Sequence, residues 1–118
     1  MSDKLDKNCI FCKIIAGEIP SKKIFENDDM LVIEDINPQA KTHFLMLPKW
    51  HVADVTELDE QGWTKIAKCL AKVSSLTKEW HLENGFRIVT NKGFDGGQTV
   101  GHLHFHILGG EKLSDKMS

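Results

Sequence analysis

The chain lacks a basic excess. Its 118 residues carry 15 Lys and Arg against 17 Asp and Glu, a formal net charge of −2. That excludes nucleic-acid binding by bulk charge alone, a mode that needs surplus cations. It lacks a disulfide framework, because its three cysteines, Cys9, Cys12 and Cys69, are few and odd in number. It lacks a long apolar run. The longest clean stretch, Phe44-Leu45-Met46-Leu47, is far short of the ~20 residues that span a bilayer. No apolar segment follows the charged N-terminus, so no secretory signal is read there. Repeats, low-complexity tracts and linkers are also missing. These absences lead to the expectation of one soluble, cytoplasmic domain over 1–118. A charged, flexible leader is expected at 1–8 and a short tail at 111–118.

What is present is a run of strand and helix signals. Residues 9–16 are apolar and read as a short helix, stopped by Gly17 with Pro20 shortly after. Ser21 to Glu26 and Met30 to Ile36 read as a hairpin about the turn Asn27-Asp28-Asp29. Thr42 to Leu47 is a third strand. Trp63, Ile66, Ala67, Leu70, Val73, Ser74, Thr77 and Trp80 recur at helical spacing, with a capping signal at Thr56 to Asp59 and a stop at Asn84-Gly85. Trp63 and Trp80 are expected in the core or an interface, and Cys69 as a buried thiol. Phe86 to Asn91 and His102 to Leu108 complete five strands. Strands grouped in blocks favour an α+β fold with an antiparallel sheet.

Histidine is over-represented, with six in the chain and three of them at His102, His104 and His106. On a strand they share one face, while Leu103, Phe105 and Ile107 share the other, expected to be core. Such a row can bind a metal, supply a nucleophile, or be polar residues on a wet face. Just before it lies Gly93-Phe94-Asp95-Gly96-Gly97-Gln98-Thr99. Glycine-rich turns gather backbone N–H groups into anion-binding nests. A phosphate held there would lie beside the imidazoles, one placed for in-line attack and another to stabilise charge or protonate the leaving group. Cys9-x-x-Cys12 adds a pair suited to metal binding or redox work in a reducing compartment. His43 and His81 read as structural or solvated.

The Gly-Gly-Gln-Thr loop and His-Leu-His-Phe-His-Ile-Leu-Gly-Gly resemble the histidine triad (HIT) family, most closely its Hint branch of purine nucleoside phosphoramidases. The likeness runs along nearly the whole chain, through Ile10-Phe11, Glu18-Ile19-Pro20, Asp35-Ile36, Pro38-Gln39-Ala40, Thr42-His43-Phe44-Leu45 and Pro48-Lys49 with His51. The resemblance implies a HIT-like five-stranded antiparallel sheet with one short N-terminal and one long helix. It implies a hydrolase that forms a covalent nucleotidyl-histidine on His104, with His106 contacting the phosphate and helping the leaving group. The transferase branch carries Gln at the position of His106, so histidine there favours hydrolysis.

The resemblance further assigns nucleotide contacts to Phe11, Ile14, Ile19 and Ile36 as an apolar base slot and to Asp35 on the ribose hydroxyls. Asn91, Gly97, Gln98 and Thr99 fall near the phosphate and ribose. Phosphoramidates of AMP such as adenylyl-lysine are the implied substrates, with a dinucleoside polyphosphate hydrolase or a nucleotide- or zinc-binding regulatory module as alternatives. Bacterial relatives with the C-x-x-C pair imply a closed structural zinc site on Cys9, Cys12, His51 and His102. No organic cofactor and no membrane partner are implied, and a homodimer through the long helix and adjacent strand is.

Overall fold

The computed structural model describes residues 5–116. In chain order it forms α1 (Ile10–Ile15), β1 (Lys23–Glu26), β2 (Met30–Glu34), β3 (Thr42–Pro48), a 3-10 turn (Val55–Glu57), α2 (Glu60–Leu76), β4 (Phe86–Val89) and β5 (Phe105–Gly109). The five strands make one antiparallel sheet in the order β1-β2-β3-β5-β4. This is the α+β sheet with a short and a long helix that the grouped strand signals imply.

Both faces of the sheet are covered, which explains why β2 is a continuous apolar run rather than an alternating one. Leu31 and Ile33 of β2, beside Leu47 and Leu45 of β3, face α1 and pack with Phe11, Cys12 and Ile14. Met30, Val32, Met46, Phe105 and Ile107 face the other way and pack with Ile66, Cys69 and Val73 of α2. Cys69 is buried as expected, and so is Trp50, to which the sequence reading gave no place.

Helix α2 is started by Asp59, whose carboxylate accepts from the Gly62 N–H at 2.7 Å. Asp54 caps the 3-10 turn before it by accepting from the Thr56 N–H. The expected capping segment therefore holds one of two successive caps. The helix ends at Leu76, short of Trp80. There Ser75 and Thr77 turn their hydroxyls back onto the carbonyls of Lys72 and Ser74, a bond that competes with helix continuation. Trp80 packs edge-on against Phe44 of β3, whereas Trp63 is 51% exposed. Lys72 lies over the Phe25 ring of β1. Trp63, Ala67 and Leu70 lie on the flank of α2 opposite Lys72. No described helix is long and apolar enough to cross a membrane.

Strand β5 starts three residues later than the alternation implies, at Phe105 instead of His102. The ladder with β3 ends at the Met46–Phe105 pair. Beyond it, one-off bonds hold the extended chain. The Leu103 N–H donates to the Val52 carbonyl at 2.8 Å, and the Thr90 hydroxyl donates to the His104 carbonyl at 2.7 Å. Of the three readings of the histidine row, the wet face does not hold for His102 and His104. His102 and His104 are 0% and 5% exposed, because α1 covers that face. Residues 1–4 of the expected leader lie outside the described residues. Asp6 accepts from the Cys9 N–H at 3.1 Å and donates its own N–H to the Cys12 sulfur. In the tail, Glu111 accepts from the Lys41 N–H, and Arg87 donates to the carbonyls of Ser114 and Lys116.

Ile107 is fully buried at the centre of the α2 face. Ile107→Ala is expected to cost about 2–5 kcal/mol of unfolding free energy, read as a lower denaturant midpoint, because the cavity cannot collapse between a sheet and a helix.

Candidate active site and metal centre

The histidine segment, the glycine loop, the end of β4 and the start of β3 line a cavity of about 300 Å³. His43, His104, His106, Asn91, Gly97 and Thr99 are among its walls. Its size is at the lower end of small-ligand pockets.

Hydrogen-bond polarity decides what each imidazole presents. Nδ1 of His104 lies 2.7 Å from the His102 carbonyl. A carbonyl only accepts, so Nδ1 carries the proton and Nε2 keeps its lone pair. Nδ1 of His43 accepts the Gln39 N–H at 3.0 Å, so Nε2 of His43 carries the proton. That N–H points at Nδ1 of His106, 2.9 Å away, with an Asp35 oxygen at 3.3 Å. Nδ1 of His106 is therefore an acceptor, and its Nε2–H is free to donate. One site thus holds an imidazole lone pair on His104 and an imidazole donor on His106, their ring centroids 5.0 Å apart.

Burial keeps these rings neutral. It is the largest cause at each position, pushing His106 and His102 down to about 4 and lowering His104 and His43 below the ordinary value. The Asp35 carboxylate opposes the shift at His43, His104 and His106.

His43 enters the site although the sequence reading left it without a chemical role. Its signal was alternation: His43, Leu45 and Leu47 share one face of β3, and Leu45 pairs with His106. Only the adjacency of β3 and β5 turns that alternation into proximity.

The glycine loop is a closed structure. The Gln98 amide donates to the carbonyls of Ala53 and Val100 and accepts from the Gly93 N–H. Its side chain is thus spent on closing the loop and tying it to Ala53. Asn91 donates to the Gly96 carbonyl at 2.8 Å. Gly97 has φ +79, a left-handed conformation that side chains disfavour. Asp35 accepts from the Asn37 N–H through its other oxygen. Among the expected base-slot residues, Phe11, Ile14 and Ile19 pack in the α1 layer. Ile36 stands apart, 99% exposed.

Under α1, Cys9, Cys12, His51 and His102 bring four ligand atoms within 4.8 Å of one another. Nδ1 of His102 lies 3.4 Å from both sulfurs, and Nδ1 of His51 lies 3.4 Å from the Cys12 sulfur. Sulfur and nitrogen ligands of one tetrahedral zinc ion stand about 3.5 Å apart, given its bond lengths. Nε2 of His102 donates to the Pro48 carbonyl at 3.1 Å, which leaves the Nδ1 lone pair facing the thiols, as a ligand must. The Cys12 N–H points at the Cys9 sulfur and the Asp6 N–H at the Cys12 sulfur. Burial pushes the Cys12 thiol up to about 11, a cost that a metal cation reverses. The four residues could hold a metal ion.

Asp35, His43 and His106 also cluster closely enough for a metal, but their polarity does not fit. A metal on Nε2 of His43 would require a proton on Nδ1, facing the Gln39 N–H.

The HIT domain family matches residues 16–113, and the chain belongs to that family. Protein HitA of Neisseria gonorrhoeae is 41% identical over 102 residues, covering 86% of this chain and 95% of that protein. A HIT family hydrolase from Clostridium thermocellum superposes with a TM-score of 0.90 at 38% identity, covering 96% of this chain and 99% of that one. A HIT family hydrolase from Legionella pneumophila has a TM-score of 0.87 at 41% identity, covering 91% and 96%.

His106 has an ordinary value of 6.5 and a folded value of about 4. Between those values the unfolded chain binds the extra proton, so stability rises with pH there and falls as pH drops below 6.5. His106→Gln removes that contribution. Its melting temperature is expected to drop less than that of the unaltered protein on acidification from about pH 7 to about pH 5, by scanning calorimetry.

Proposed function

We propose that the chain is a nucleotide-binding hydrolase that cleaves AMP-linked phosphoramidates, of the adenylyl-lysine type, through a nucleotidyl-histidine on His104. The observation that carries this reading is the fixed pair of tautomers, a lone pair on His104 Nε2 beside a proton on His106 Nε2. Hydrolase relatives of the same fold support it.

Thr99, next to Gly97 in the cavity wall, receives the phosphate with its N–H and hydroxyl, while Asp35 and Asn91 take the ribose side. Anionic phosphate raises the proton affinity of His106, as Asp35 already does, so His106 takes up a proton on Nδ1 with the substrate, and the His43 N–H turns to the Asp35 carboxylate that lies beside both rings. The His104 lone pair forms the new P–N bond. The old P–N bond breaks with its pair going to the leaving amine, which takes the proton from His106. Water then attacks phosphorus, gives its proton to His106, and His104 departs with its electron pair. Ile14, Ile19 and Ile36 serve the base. The four ligands under α1 hold a structural zinc, which ties α1 to the histidine segment. Trp63, Leu70 and the exposed Ile88 of β4 support a homodimer across α2 and the β4 edge. Three free, buried cysteines suit a reducing, cytoplasmic setting.

Purified protein is expected to release AMP and lysine from adenylyl-lysine, with accumulation of a nucleotidylated protein on rapid quenching. His104→Ala should lose about 10⁴-fold or more, as loss of a nucleophile does. Nucleotide binding without turnover by the unaltered protein would leave a binding module, and faster cleavage of diadenosine polyphosphates would shift the substrate class. Native mass spectrometry of protein prepared without chelator should read a dimer with one zinc per chain. A metal-free monomer would exclude both assignments.

A further inference from the structure

The metal cluster and the proposed nucleophile share a boundary. The His102 side chain faces the thiols while its carbonyl holds Nδ1 of His104. One hydrogen bond selects the tautomer of an imidazole only while the ring stays in place, and a ring free to swing loses both the bond and the single tautomer. Something must hold the ring itself if Nε2 is to keep its aim. On one side His106 does so, at 5.0 Å and 69°. On another, Phe11 meets the ring edge-on at 5.0 Å and 80°.

Phe11 also meets His102, at 6.0 Å and 78°. It sits between Cys9 and Cys12 on a helix of only 6 residues. A helix that short does not persist on its own propensity. Cys9 caps it, accepting from the Cys12 N–H, and Cys12 contacts both cluster imidazoles. The two sulfurs therefore share in placing Phe11, together with its packing in the core of Leu31, Ile33, Leu45 and Leu47.

We propose that Phe11 is a positioning residue for His104, carrying the geometry of the Cys9, Cys12, His51 and His102 cluster to the nucleophile's ring. The metal at that cluster then governs the reaction rate and not only the stability of the fold. The inference rests on the reading of His104 as nucleophile. It differs from a base-slot role for Phe11, which predicts a change in nucleotide binding instead.

The test uses full-length, zinc-loaded protein and Phe11→Leu, which keeps apolar volume and removes the ring. Steady-state kinetics with adenylyl-lysine are expected to show kcat lowered about tenfold, with KM changed by less than about twofold. Imidazole nitrogen NMR is expected to show one His104 tautomer, Nδ1–H, in the unaltered protein and a mixture in Phe11→Leu. Zinc removal from the unaltered protein, titrated with chelator, should produce the same mixture while core methyl signals keep their folded positions. That titration decides the matter if Phe11→Leu does not fold. A raised KM with unchanged kcat, or a single His104 tautomer after both perturbations, would overturn the proposal. If the unaltered protein turns over no nucleotide substrate, the hydrolase reading fails, and the tautomer comparison still decides whether Phe11 positions His104.

Discussion

His102 is the residue on which the rest of the site depends. Its ring is fully buried, and a buried imidazole must satisfy two nitrogens of opposite character. The Pro48 carbonyl takes the N–H, and the thiols face the lone pair. With the ring fixed at both nitrogens, the backbone around it is fixed too. That backbone supplies the carbonyl that holds His104. The exit of β3, helix α1 and the histidine segment thus meet at a single side chain.

Polarity then does what proximity alone does not. Two clusters in the chain bring metal-binding atoms together. In one, the outward nitrogen of His102 is protonated and its inward one bare, the arrangement that a cation accepts. In the other, a single backbone N–H from Gln39 sets His43, His43 sets His106, and the inward position is filled by a proton. The two groups lie on neighbouring stretches of one sheet and are suited to different chemistry. Burial reinforces the division, since neutral rings can have fixed tautomers and doubly protonated rings cannot.

The fold provides these contacts because its sheet is covered on both sides. Helix α2 supplies the larger core and gives the sheet a rigid back. The short α1 closes the other face, where the histidines would otherwise be wet. Beyond Phe105 no ladder continues, and individual bonds to Val52, Thr90 and Pro48 replace it. Ladder hydrogen bonds repeat along a strand, whereas these place each residue separately, which is what three histidines with three different environments require.

Much of this was legible in the chain itself. Apolar runs between turn residues marked the strands, alternation marked the histidine face, the stripe from Trp63 to Trp80 marked α2, and the motif around His104 carried the family resemblance. Local patterns report local conformation, so element type was read better than element ends. The overlong β5 and the overlong α2 both came from continuing a periodic pattern past the point where its partners stop. The role of His43 was not legible, because it depends on β3 lying beside β5, a pairing between distant segments. The burial of His102 and His104 depends on α1 crossing back over the sheet. The internal bonding of Gln98 depends on Ala53, far away in sequence. Residue type and spacing by themselves determined which side chains were available for chemistry. Tertiary structure alone decided which nitrogen of each imidazole is protonated, because that is set by the partner on its other side.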